Sequence, residues 1–139
     1  MPANTTPIFI DTPNSIPVFL AAANTASDGS GVLTTLVTAG ADGTLVESVT
    51  FRNAQITQAA SSAMLGKIFL SDASGTNFQI VGEVLIPAVT RSATILGATA
   101  TFTFVPALKM KSGQLLSVCQ SVYAGAQDRN SVIAIASDY

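Results

Sequence analysis

Leu45-Val46-Glu47-Ser48-Val49-Thr50-Phe51-Arg52-Asn53 carries the clearest structural pattern in the chain. Leu45, Val49 and Phe51 fall on one face and Val46, Ser48, Thr50 and Arg52 on the other, the period of two that marks a half-buried strand. Glu47 interrupts the apolar face. The residues leave open whether it lies near the strand's end or pairs with a basic residue such as Arg91 or Lys67. Before this run, Val32 to Thr38 reads as a strand between two turn clusters, Ser27-Asp28-Gly29-Ser30-Gly31 and Ala39-Gly40-Ala41-Asp42-Gly43. Their Asp-Gly pairs supply the positive φ that tight connections need. Earlier still, Ile8 to Ile10 and Ile16 to Leu20 are extended pieces that Pro7, Pro13 and Pro17 confine to an edge or an arm.

After the run, Ile56 to Ala63 reads as a loop or one helical turn. Met64 to Ser71 and Phe78 to Ile86 form a hairpin across Asp72-Ala73-Ser74-Gly75-Thr76-Asn77, and Thr90 to Gly97 is an exposed crossing. In Thr99 to Val105, Phe102 and Phe104 alternate with Thr101 and Thr103, and Pro106 is expected to stop the strand. Leu108 to Lys111, Leu115 to Val122 and Val132 to Ala136 complete the series. About eight short strands, separated by turn residues, predict an all-β fold: an antiparallel β-sandwich, jelly-roll-like, with an extended N-terminal arm. The arm is placed at residues 1–17 and a single sandwich domain at 18–139. No internal repeat is evident.

The chain has 139 residues, enough for one domain with a real core. Hydrophobic residues make up 48% of it, which excludes disorder as the main state. Charged residues are only 10%, where an ordinary soluble domain carries about 25%. Ser, Thr, Ala, Asn and Gln take their place, so the exterior is expected to be neutral and built of small side chains. Such a surface loses little side-chain entropy and little ionic solvation when another protein covers it. This points to a chain packed against copies of itself or a larger assembly. A charge-poor domain that stays alone is the competing reading.

Chemistry is hard to place on these residues. With no histidine in the sequence, Ser-His-Asp and Cys-His catalysis are excluded, and the commonest metal ligand is missing. Cys119 sits in a predicted strand with no basic neighbour to make a thiolate, and a single cysteine makes no internal disulfide. Lys67, Lys109 and Lys111 coexist with many serines, but no spacing favours a Ser-Lys pair, and rim lysines are expected. Asp11, Asp28, Asp42, Asp72 and Asp128 lie in turn-like contexts, where backbone hydrogen bonding accounts for them without a paired-carboxylate site. No glycine cluster is followed by the lysine and helix of a phosphate loop, and no run supplies the closely spaced oxygens of a calcium site. No enzyme activity, cofactor or metal is therefore expected. A net charge of −2 with six scattered basic residues gives no nucleic-acid footprint. No apolar run reaches the roughly 18 residues of a membrane-spanning helix, and the N-terminus shows no signal-peptide pattern.

Four stretches carry a resemblance: Pro2-Ala3-Asn4-Thr5-Thr6-Pro7-Ile8-Phe9, Ala23 to Gly31, Thr38 to Gly43, and the closing Asp138-Tyr139. The chain resembles small proteins found among tailed-phage and prophage structural genes, over the first 53 residues and the last two. By analogy with small β-sandwich proteins of phage heads, the resemblance implies a virion location after assembly in the host cytoplasm. It implies a capsid decoration or cement protein, a homotrimer seated on the major capsid protein. A phage tail or fibre component is the alternative within that class. A jelly-roll carbohydrate-binding module is a third reading, disfavoured by the lack of Trp and by only two tyrosines, Tyr123 and Tyr139. The motifs carry no catalytic residues. In the uncharged N-terminal segment, Ile8, Phe9, Ile10 and Ile16 are the candidate partner contacts, apolar groups that seek a groove on their own sandwich or on a neighbour.

Overall fold

Period-two alternation resolves into two antiparallel sheets in the computed structural model, which describes residues 12–55 and 59–139. The strands are β1 (Thr12–Pro13), β2 (Val18–Leu20), β3 (Thr34–Thr38), β4 (Thr44–Asn53), β5 (Met64–Leu70), β6 (Gln79–Ile86), β7 (Thr99–Met110), β8 (Leu115–Gln120) and β9 (Asn130–Asp138). One 3-10 turn, Ala126–Asp128, lies between β8 and β9. Sheet A runs β2-β9-β4-β7, with β1 also paired to β9, and sheet B runs β3-β8-β5-β6. Except for the β5–β6 hairpin, each step along the chain from β2 to β9 changes sheet. That is the connection of an eight-stranded jelly roll, the fold expected. Of the expected arm, residues 12–17 lie along β9, where Thr12 and Pro13 pair with Asp138 and Ser137 and Asn14 N donates to Ala136 O.

Three local expectations are corrected. Strand β4 contains a bulge: its register against both β7 and β9 shifts between Val46 and Ser48. The extra residue puts Val46 on the buried face with Val49 and Phe51, leaves Leu45 half-buried and turns Glu47 outward. The apparent acid on an apolar face was a consequence of counting through that bulge. Pro106 does not end a strand either, because β7 continues from Thr99 to Met110. Strand β7 is the outer strand of sheet A and its pairing skips from Thr103 to Leu108, so the missing N–H of Pro106 interrupts no ladder bond. Lys67, expected at a rim, is buried.

The core lies between the sheets, and among the described residues its buried cluster holds one ring, Phe51. Val46, Val49 and Phe51 of β4 and Val132, Ala134 and Ala136 of β9 face Leu116, Val118 and Ile68 of sheet B. Gly66 of β5 lies directly against that ring: a Cβ there would stand 2.8 Å from Phe51 Cε1. At the other side of the sandwich Gly82 of β6 receives Phe102 in the same way, and Phe104 packs edge-on to Phe102 at 5.0 Å.

Candidate interaction surface

The two sheets differ in what covers their outer faces. On sheet B, the residues that alternate with the core are Lys67 and Phe69 of β5 and Ser117 and Cys119 of β8, and all four are buried. The chain's own residues 23–31 lie across them. Ala23 bridges to Gln120, Asn24 N donates to Gln120 O, and a Cβ on Gly29 would collide with Phe78 O at 2.3 Å. Gly29 has φ of 85°, so glycine serves both the turn and the close approach. Asn24 knits this strap together, donating to Ser30 O and Val32 O and accepting from Ala26 N. Lys67, only 4% exposed, fixes it to the sheet. Its Nζ donates to Thr25 O at 2.8 Å, Ala26 O at 3.2 Å and Ser27 Oγ at 2.9 Å.

Among the described residues sheet A has no such cover. Its outward positions form four rows across the strands: Phe19, Ser131, Arg52 and Thr99; then Ile133, Thr50 and Thr101; then Ile135, Ser48 and Thr103; then Pro13, Ser137, Leu45 and Lys109. Phe19, Ile133 and Ile135 are exposed, Ile135 to 57%. Thr50 and Thr101 hydroxyls meet at 3.0 Å across the strand pair. The ionised side chains of this face are few: Arg52, Lys109 at its far end, and Glu47 turned outward at the bulge. A cleft of about 380 Å3 opens on this face between Pro17, Thr50, Arg52, Thr99, Ser131 and Ile133. Ile16, 68% exposed, precedes Pro17 at its margin. Ile8, Phe9 and Ile10, the other three contacts expected from sequence, lie outside the described residues.

The groups with nucleophilic or acid-base potential are engaged elsewhere. Lys67 is in hydrogen-bond reach of Ser27, but all three ammonium donors point at oxygens, so the serine hydroxyl accepts and finds no base. Cys119 does have a basic neighbour, because it pairs across the ladder with Lys67. Desolvation outweighs that charge and pushes the thiol up to about 11, away from thiolate reactivity. Asp28 accepts from Ser30 Oγ and N, which holds its carboxyl below the ordinary range. Asp72 is held lower still by Ser74 Oγ, Thr76 N and Asn77 Nδ2 in the β5–β6 turn. Asp128, fully buried, accepts from Ser62 N at 2.7 Å and Ala124 N at 2.8 Å and ties the turn before β9 to residues 61–62. Among the described residues no group of three His, Cys, Asp or Glu side chains is placed to hold a metal ion. Tyr123 and Tyr139 are both half-buried, one in the loop after β8 and one beside Gly43 before β4, at opposite ends of the sandwich.

Compared with protein-family models and with curated proteins, the chain matches none. Among the described residues no helix is long and apolar enough to cross a membrane. The uncovered face was foreshadowed in sequence only by the alternation of Thr101 and Thr103 with Phe102 and Phe104. Its other half, Phe19 with Ile133 and Ile135, comes from segments too short to reveal which side faces out.

Proposed function

We propose that this protein is a non-enzymatic virion structural protein, a capsid decoration protein that assembles with copies of itself on the major capsid protein of a tailed phage. One observation carries the reading: among the described residues the outer face of sheet B is covered by residues 23–31, while sheet A is uncovered, poor in charge and partly aliphatic. A face built of Thr, Ser, Ile and Phe brings little ionic desolvation cost when covered, so contact with another protein stabilises it. The low charge content supports the same use of the surface. Ile16 and, on this reading, Ile8, Phe9 and Ile10 add apolar contacts at the margin. Quantitative mass spectrometry of purified particles tests the proposal: hundreds of copies per particle are expected of a head protein. A few dozen copies or fewer would move the protein to the tail, and absence from particles would overturn the virion reading.

A further inference from the structure

The fold gathers all three arginines, scattered in sequence, at one end of the sandwich. Arg52 near the end of β4 and Arg91 in the β6–β7 connection line a common cleft of about 320 Å3 with Asn53, Leu96 and Gly97. Arg129 stands close by, its guanidinium 4.0 Å from the ring of Phe19, which is one strand removed from Arg52 across Ser131. Apart from Asp128, the described acids lie elsewhere. Asp42 and Asp72 occupy the β3–β4 and β5–β6 turns and Asp138 ends β9, all at the opposite end of the strands. Among the described residues the one carboxylate at the arginine end is Asp128, buried and bonded to Ser62 and Ala124. Among the described residues no carboxylate pairs with the two exposed guanidinium groups of the cleft, and Arg91 Nη1 donates only a long bond, 3.5 Å, to Gln55 O.

We propose that Arg52 and Arg91 form a carboxylate-recognition site, which takes an Asp or Glu side chain flanked by an aliphatic residue from the protein that covers sheet A. The inference rests on the docking reading above and names the partner's chemistry. Guanidinium groups bind carboxylates through paired, charge-assisted hydrogen bonds. Leu96, 81% exposed, and the exposed Ile95 give the cleft an apolar lip that fits a side chain next to the acid. Arg52 also lines the cleft on the bare face, so the site continues the surface a partner would cover. A nucleic-acid or polyphosphate site would call for more cations, yet Lys67 is buried and Lys109 and Lys111 lie at the far end of β7.

The test is an NMR titration of the full chain with a capped Ala-Leu-Glu-Leu-Ala peptide, its glutamine counterpart, and inorganic phosphate. The glutamate peptide is expected to shift the Arg52 and Arg91 side-chain signals and the Gly97 amide. Replacing Glu by Gln in the peptide, or Arg52→Gln with Arg91→Gln in the protein, should weaken binding about tenfold or more, while Lys109→Gln with Lys111→Gln leaves it unchanged. Equal binding of the two peptides, binding unaltered in the double arginine variant, no binding to the native chain, or phosphate binding as tightly as the glutamate peptide would each overturn the site. Because the probe needs no partner, a monomer that binds the peptide refutes only the docking reading, and an assembled protein that ignores it refutes only this site.

Discussion

Gly66 governs how the Phe51 ring sits between the sheets, since any side chain on β5 at that point would enter the ring. Gly66→Ala should destabilise by about 1–3 kcal/mol in urea melts, the range for overpacking a filled core; a change under about 0.5 kcal/mol would mean that the ring has room to move. Cys119 gives a second expectation, on the alkaline side. Burial raises its folded pKa to about 11, above the ordinary thiol value. Below about pH 8 the thiol is neutral in both states and its contribution is fully present. Between about pH 9 and 11 the unfolded chain loses a proton that the folded chain keeps, so stability falls with rising pH. The difference between native and Cys119→Ala melts should follow that fall, and a difference independent of pH up to 11 would contradict it. An inert Cys119 was legible in sequence, but the reason was not. Its basic neighbour Lys67 is distant in the chain, and burial decides the outcome.

The strap over sheet B depends on Lys67, a residue that sequence placed at a rim because nothing local marks a lysine as buried. Lys67→Met keeps the length of the stem but removes three hydrogen bonds to residues 25–27. The strap should then open locally, and alkylation of Cys119 by iodoacetamide at pH 8 should accelerate about tenfold or more; an unchanged rate would show that the strap is held by other contacts. The β5–β6 turn carries the acid-side expectation. Asp72 has its carboxyl lowered by bonds within the turn, so its contribution is complete above the unfolded value near 4 and is lost as pH falls through the folded one. Asp72→Ala should therefore lower stability at pH 7 and narrow its gap to the native protein toward pH 2. A gap of constant size would exclude the turn as its source. The hairpin itself was legible from its two strands and the polar link Asp72 to Asn77, whereas the bulge at Glu47 and the passage of β7 through Pro106 were not. Both depend on strand order, since a bulge is defined by its partners and a proline is tolerated where the strand has an open side.

The jelly roll as a whole was readable because eight half-buried strands with turn residues between them admit few other arrangements. The interaction surface was not, because period two identifies two faces of a strand and leaves unsaid which is covered. Only the fold shows residues 23–31 lying on sheet B and no other described segment lying on sheet A. The same holds for charge: six basic residues spread along the sequence become an arginine end, a distant pair of lysines and the buried Lys67. The surface reading predicts that Ile133→Asp, on an exposed position of β9, leaves the melt of the isolated subunit within about 0.5 kcal/mol of native while abolishing association. Light scattering of the purified native chain at micromolar concentration is the most direct measurement of the central claim. A particle of about three 14.2 kDa subunits, reduced to one by Ile133→Asp, is the predicted result; a native chain that scatters as a single 14.2 kDa subunit would contradict it.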